Sequence, residues 1–171
     1  MNPEIKYGLI TGAGVCLWII AEYLLGFHTT RPEIGEYSGF FSNLIPLITL
    51  FLLLKGKHKS VTDGPLRVGQ GLSSGLYASF IAALIVYVFL LAYNQFINPG
   101  WLDNALDWKV AQMRAQGVTE TDIRKQITFY RQANSPAGLL ATTIVGMTLV
   151  GASFSFGLTL LLRRQPRLPS A

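Results

Sequence analysis

The chain has 171 residues, of which half are hydrophobic and only 13% are charged, with a net charge of +5. Soluble domains usually carry about 25% charged residues, and the charges here lie in short segments between long uncharged runs, so the composition excludes an ordinary soluble domain. Most positive residues flank the apolar runs, where membrane topology and lipid head groups explain them, so we predict no nucleic-acid partner.

Four apolar runs divide the chain, at 5–27, 39–54, 70–97 and 136–162. At about 1.5 Å per residue, the first, third and fourth runs are long enough as helices to cross a hydrocarbon core of roughly 30 Å. The second run is shorter and contains Pro46, which predicts a bend and an extension into the flanks. We therefore predict an all-α, polytopic membrane protein with four transmembrane helices in a single domain, 1–171.

Small residues recur at three- and four-residue spacing along three of these runs. Such stripes let membrane helices approach closely, because lipid provides no hydrophobic drive for helix association. The third run has a G-x-x-x-G spacing at Gly71 and Gly75. The first and fourth runs have longer stripes, which we expect to face neighbouring helices: Gly8, Gly12, Val15, Ile19, Glu22 and Gly26, then Gly138, Thr142, Gly146, Val150, Ser153 and Gly157.

The segment 98–135 is the only long polar stretch between apolar runs. Asn98, followed by Pro99, is a candidate cap for a first amphipathic helix, and Gly117 is a candidate left-handed terminator. Thr119 is a candidate cap for a second one. We predict an extramembrane helical hairpin whose apolar sides are covered either by its own bundle and lipid, as a lid, or by a protein partner. The predicted lid residues are Trp101, Trp108 and Tyr130.

The distribution of lysine and arginine predicts the orientation. With four spans, the N-terminus, the connector 55–69 and the C-terminus share one side, where these residues are denser than along the long polar segment on the other side. The positive-inside rule then places both termini in the cytoplasm and the hairpin outside, in a multi-pass protein of the cytoplasmic (inner) membrane.

Glu22 is the only charged side chain within an apolar run, away from its ends. An acid at the centre of a span costs about 2.5–3.5 kcal/mol on the insertion scale, and less near the interface. One hypothesis is an outward-facing polar pocket beneath the hairpin; the other is a carboxylate that is hydrogen-bonded to Asn or Tyr and fixes the helix register. The candidate pocket residues come from all four spans and are Glu22, Asn43, Asn94, Gln95, Thr142 and Thr143.

Sequence motifs of enzymes and metal sites are missing. The chain contains no phosphate-binding P-loop, H-E-x-x-H, C-x-x-C or G-x-S-x-G motif. Its two histidines, His28 and His58, fall on opposite sides of the predicted bilayer. We therefore expect no enzymatic activity, no metal site and no cofactor.

Several short segments resemble a family of small bacterial membrane proteins of unknown function, found mainly in Bacteroidota. They are KYGL at 6–9, EYLLG at 22–26, the Asn-Pro break at 98–99 and QGVTETDI at 116–123. The resemblance covers essentially the whole chain. It implies a four-helix inner-membrane protein, and it supplies no activity, cofactor or catalytic residue.

Three classes of function fit these observations. The first is a structural or accessory subunit of a cell-envelope complex, in which the hairpin or an exposed stripe binds a membrane-protein partner. The second is a small oligomeric transporter or channel that uses the pocket around Glu22. The third is a lipid-handling accessory to an envelope-building enzyme. The halves of the chain share no evident repeat, which favours the first class over transport. The expected partners are membrane lipid and either another membrane protein or a second copy of the chain.

Overall fold

A computed structural model describes residues 1–60 and 66–163, except for the side chain of Glu36. Every regular element in these ranges is helical, as predicted. A π-helical turn, Tyr93–Ile97, follows α4 directly. The α-helices are α1 (Pro3–Leu24), α2 (Pro32–Ser42), α3 (Leu44–Ser60), α4 (Val68–Ala92), α5 (Trp101–Ala115), α6 (Glu120–Ala133) and α7 (Pro136–Arg163).

Within the described residues, four helical segments are long and apolar enough to cross a membrane, the same number as the predicted spans. They are Pro3–Leu24, Pro32–Ser60, Val68–Ile97 and Pro136–Arg163. The four segments alternate in direction along the chain, so that α4 packs parallel to α1, with Gly8 facing Ile81 and Gly12 facing Ile85, and antiparallel to α7. α3 packs on α1 and α7 from the other side. We call the end at which α5 and α6 lie the hairpin end, and the opposite end the terminal end.

The central helix, α4, packs closely on both neighbours because glycines lie at the crossings. On the α1 side, a Cβ added to Gly8 would lie 2.8 Å from the Cβ of Ile81. On the α7 side, Gly75 of α4 faces Ser155 of α7, and Gly151 of α7 faces Ser79 of α4. These contacts confirm that the G-x-x-x-G spacing of the third run is a packing surface.

The small-residue stripe predicted on α7 does not pack directly on α4. Its residues Thr142, Gly146 and Val150 line a cavity among the helices instead. Thr142, Gly146, Ser153 and Gly157 are exposed, and a Cβ added to either glycine would meet nothing within 4 Å. The face that contacts α4 carries a second set of small residues, Gly151, Ser155 and Thr159. Because α7 has small residues on two faces, spacing alone does not identify the face that packs.

The second span is longer than the predicted 39–54 and is broken in the middle. It begins at Pro32, breaks at Asn43 between α2 and α3, and ends at Ser60. Pro46 has no N–H to donate to the preceding turn, which accounts for the break. Near the basic end of α3, the Lys57 ammonium forms an ion pair with the buried Glu4 carboxylate of α1.

The ends of the other helices differ from the predicted ends of the apolar runs by a few residues. The first span ends at Leu24 instead of residue 27, and the third begins at Val68 instead of residue 70. In the hairpin, Gly117 has the predicted left-handed conformation, with φ of 75°. The Thr119 hydroxyl accepts a hydrogen bond from the Asp122 N–H, as a helix cap does. Asn98 was predicted to cap α5, but Gly100 occupies that position.

Apolar side chains fill the terminal half of the bundle. Leu54, Leu66 and Leu162 form one buried cluster, and Leu50 and Leu53 form another with Ala78. The polar side chains that the sequence singled out lie beyond these clusters, toward the hairpin end. The fold therefore places the candidate sites in the hairpin half of the molecule.

Candidate functional site

Glu22 lies near the end of α1 and is 6% exposed. The indole Nε1–H of Trp18, one turn earlier on the same helix, donates to Glu22 Oε1 at 2.7 Å. His28 Nε2 lies 3.4 Å from Glu22 Oε2, and the Ser38 hydroxyl of α2 also interacts with the carboxylate. The carboxylate is therefore surrounded by donors from α1, α2 and the connector between them.

A chain of hydrogen bonds leads from this carboxylate to the start of the hairpin. Asn98 Nδ2–H donates to the Tyr93 hydroxyl oxygen at 3.2 Å, and that hydroxyl lies 2.7 Å from His28 Nδ1. One tautomer of neutral His28 satisfies both neighbours. In it, Nδ1 accepts a hydrogen bond from the Tyr93 O–H, and Nε2 carries the proton on the side of Glu22. We call Trp18, Glu22, His28, Tyr93 and Asn98 the Glu22 network.

The local backbone explains how His28 reaches Glu22. Gly26 has a φ of 79°, a left-handed conformation that favours glycine. Its carbonyl oxygen accepts from the N–H groups of Thr29, Thr30 and Arg31, at 2.8 to 3.1 Å, and so forms a tight turn after α1. This turn folds the connector back over the helix end and brings His28 beside Glu22.

Sequence reasoning missed four of the five members of the Glu22 network. Trp18 could have been found from its four-residue spacing to Glu22, which puts both on one helix face. His28 and Tyr93 are 65 residues apart, and their contact depends on the turn at Gly26 and on the bundle. No local pattern identifies such a pair.

A cavity of about 230 Å³ lies between the α1–α2 connector and the hairpin. All three predicted lid residues, Trp101, Trp108 and Tyr130, line it. His28 lines it too, and the rings of His28 and Trp101 are 6.3 Å apart in an edge-to-face contact. We call it the aromatic cavity. Glu22 is not among its lining residues and lies behind His28.

The other predicted pocket residues lie elsewhere. Asn43, Thr142 and Thr143 line a separate cavity of about 370 Å³ among α1, α3, α4 and α7, which we call the lateral cavity. Gln95 is exposed. Asn94 is partly buried, and its Oδ1 has no hydrogen-bond partner. The six residues therefore do not form one pocket, because Glu22 faces α2 and the π-helical turn while Asn43 faces α7.

Two further polar contacts lie within the bundle. At the terminal end, the Ser74 hydroxyl donates to Glu4 Oε1 at 3.1 Å and the Lys57 ammonium lies beside both groups. Near mid-bundle, the hydroxyls of Thr11 and Thr49 are 2.7 Å apart. Within residues 1–60 and 66–163, no three His, Cys, Asp or Glu side chains lie close enough together to hold a metal ion.

Comparison with known proteins gives a family and no activity. No curated protein and no solved structure matches the chain. The model of a family described as "Protein of unknown function (DUF4199)" matches residues 6–164, which is nearly the whole chain. The chain therefore belongs to the DUF4199 family of proteins of unknown function.

Proposed function

We propose that this protein is a non-enzymatic integral membrane protein that serves as a structural or accessory subunit of a cell-envelope complex and binds its partner through the hairpin. One observation carries the proposal. The outward side of α6 exposes Phe129, 65% accessible, among exposed polar and basic side chains. Phe129 lines one shallow groove together with Glu120, Thr121, Arg124, Lys125, Thr128 and Gln132. We call this surface the α6 groove.

The hairpin is held in place, which suits a docking element. Leu106, Met113 and Ile123 are buried between the helices and the bundle. Two ion pairs join α5 to α6: Arg131–Asp103 at 2.9 Å and Arg114–Glu120 at 2.8 Å. The hydrogen bond from Arg114 lowers the pKa of Glu120 below its ordinary value of 4.5, so this pair persists at neutral pH and is lost only as the pH falls through that lowered pKa.

The membrane location and orientation are part of the proposal. Exposed basic side chains gather at the terminal end, where the positive-inside rule places them in the cytoplasm: Lys6, Lys55, Lys59, Arg67 and Arg163. Large apolar side chains are exposed along all four candidate spans, among them Leu17, Ile48, Val88 and Leu149. A bilayer covers such surfaces, whereas a soluble monomer seldom exposes so much contiguous apolar area. Both termini are then cytoplasmic and the hairpin lies outside the inner membrane.

The absence of enzymatic activity is also proposed. The buried Glu22 carboxylate near the end of α1 is occupied by donors of the protein itself. Its histidine neighbour has both ring nitrogens engaged, one toward Tyr93 and one toward Glu22. A general base or nucleophile needs an open side facing a substrate, and this carboxylate faces its own partners.

The lateral cavity supports a second candidate function, a small oligomeric transporter or channel. Asn43, Thr142 and Thr143 give this cavity polar walls at the depth where a solute would bind. Two features make it the weaker proposal. Glu22 does not line the cavity, and the leucine clusters around Leu53 and Leu54 fill the bundle on the terminal side of it.

The docking proposal predicts that the α6 groove is needed for assembly. We expect the chain, extracted from its native membrane in mild detergent, to migrate on native gels as a heteromer of fixed stoichiometry. Phe129→Ala combined with Lys125→Glu should release the free chain, because the substitutions remove the apolar anchor and reverse a charge at the groove. Phe156→Ala, which truncates an exposed phenylalanine on α7, is the matched control and should leave the heteromer intact.

A different gel pattern would reject this proposal. A homo-oligomer without another protein, stabilised against heat by a particular solute, would support the transporter candidate instead. A heteromer that survives the double substitution would show that the α6 groove is not the docking surface.

A further inference from the structure

The aromatic cavity has the size of a binding site for one small ring. Its volume of about 230 Å³ is below the range of roughly 300–1,000 Å³ of pockets that hold drug-sized molecules. Its floor is formed where α1 ends and α2 begins, by Phe27, Pro32 and Gly35. Its other walls come from α5 and the end of α6. The cavity therefore fits a single ring or head group and not an extended chain.

Its walls favour a flat occupant. The rings of Phe27, Trp101, Trp108 and Tyr130 line the cavity from the connector, α5 and α6. Aromatic rings pair by offset stacking and by edge-to-face contact, and such pairs are favourable beyond the burial of their area. A planar ring gains these contacts on several sides at once.

The charges around the cavity disfavour a cationic ring. Among the described side chains, no carboxylate lines the cavity: Glu22 lies behind His28, and Asp103 is paired with Arg131. The Lys109 ammonium already lies over the ring of Tyr130, 5.4 Å from its centroid. A quaternary ammonium ligand would have to compete with this lysine for the same ring face.

Donors at the cavity favour an occupant with hydrogen-bond acceptors. The lining includes Trp101, Trp108 and Asn104, whose side chains carry N–H donors. In the described part of the chain, none of these three side chains has a hydrogen-bond partner, whereas the indole of Trp18 is bonded to Glu22. Carbonyl oxygens on a ring would accept from them at little desolvation cost, because a neutral carbonyl is easier to bury than a carboxylate.

Helix α2 extends from the aromatic cavity along a surface of exposed aromatic side chains. α2, which contributes Pro32 and Gly35 to the cavity, exposes Tyr37, Phe40 and Phe41 further along. Exposed aromatic side chains at the end of a span are typical of the lipid head-group region. A neutral ring that dissolves in the bilayer can reach the cavity along this helix.

From this geometry we propose that the aromatic cavity is a binding site for the head ring of a lipid-soluble quinone. Four aromatic walls hold the planar ring, and the side chains of Trp101, Trp108 and Asn104 donate to its carbonyl oxygens. The site rests on the proposed membrane location and is independent of the docking role of α6. It involves binding only and requires no redox partner from the chain.

Equilibrium dialysis of the purified full chain in detergent tests this site. The probe is tetramethyl-1,4-benzoquinone, whose fully substituted ring does not add to the thiol of Cys16. We expect saturable binding of about one quinone per chain above the micelle background. Tetramethylbenzene, which has the same ring and methyl groups without carbonyls, should bind about tenfold more weakly, since about 1.4 kcal/mol of net hydrogen bonding separates the two.

Two variants assign the binding to the cavity. Ala105→Phe places a ring in the cavity, and Trp108→Ala removes one wall and one donor; each should weaken quinone binding at least about tenfold while leaving helicity and heat unfolding unchanged. Phe156→Ala, on an exposed face of α7, is the control and should bind as the unmodified chain does. The proposal fails if Ala105→Phe binds the quinone normally, if tetramethylbenzene binds equally well, or if phenyltrimethylammonium or trimethylbenzoate binds more tightly than the quinone.

Discussion

Gly151→Leu should destabilise the bundle severely, by about 3 kcal/mol or more, because it overpacks a closed contact. A Cβ at Gly151 would lie 1.9 Å from Ser79 Oγ and 2.5 Å from Ser79 Cβ. The α4–α7 contact would have to open to admit the new side chain, and this is the contact along which the small residues of both helices meet. Unfolding of the purified chain in mixed micelles, followed by circular dichroism, measures the loss.

The same helix provides the control for this prediction. Gly157→Leu puts an identical side chain on α7 at a position where a Cβ meets nothing within 4 Å, and we expect a change within about 0.5 kcal/mol. Ser79→Gly should partly restore the stability of Gly151→Leu, because it removes the atoms that the leucine meets. Equal losses for Gly151→Leu and Gly157→Leu would contradict the packing described for α7.

Glu22→Ala should cost about 2–4 kcal/mol, because it leaves the Trp18 N–H and the His28 Nε2–H without their acceptor in a buried site. Glu22→Gln keeps one acceptor oxygen and the side-chain volume, so it should cost less. Tyr93→Phe removes the hydroxyl that joins Asn98 to His28 and should cost about 1–3 kcal/mol. The same unfolding assay compares the three variants.

We also expect the stability losses of the Glu22 and Tyr93 variants to be coupled. If Glu22, His28 and Tyr93 act as one hydrogen-bonded unit, the combined loss in Glu22→Ala with Tyr93→Phe should be smaller than the sum of the single losses by about 0.5 kcal/mol or more. Strict additivity would mean that the carboxylate and the hydroxyl stabilise the fold independently. A pocket role for Glu22 would require a ligand effect that Glu22→Gln abolishes.

Local sequence signals predicted the elements of this fold well. Hydropathy identifies four spans because each crossing needs an uninterrupted apolar stretch. Gly117 and Thr119 mark the turn of the hairpin because a left-handed residue and a side-chain cap act within a few residues of the chain. The end of α3 was predicted less well, because the apolar run stops before Lys55 while the helix continues to Ser60.

The arrangement of the site was less predictable because it depends on helix rotation and on a turn. Glu22 was recognisable as an unusual acid, but its partner His28 reaches it only through the left-handed Gly26. Asn43 and Thr142 were expected at the depth of Glu22, and they face a different cavity because a common depth does not imply a common face. The lid residues Trp101, Trp108 and Tyr130 line one cavity because the amphipathic pattern fixes which side of each hairpin helix is buried.

The central claim is that the four spans cross the inner membrane with the hairpin outside and both termini in the cytoplasm. Labelling of intact cells with a membrane-impermeant maleimide tests it, with Cys16→Ala as the background. Thr121→Cys, on the exposed side of α6, should be labelled in intact cells, and Ser60→Cys, at the exposed end of α3, only after lysis. Labelling of Ser60→Cys but not of Thr121→Cys in intact cells would reverse the orientation, and labelling of both would contradict the membrane-spanning arrangement.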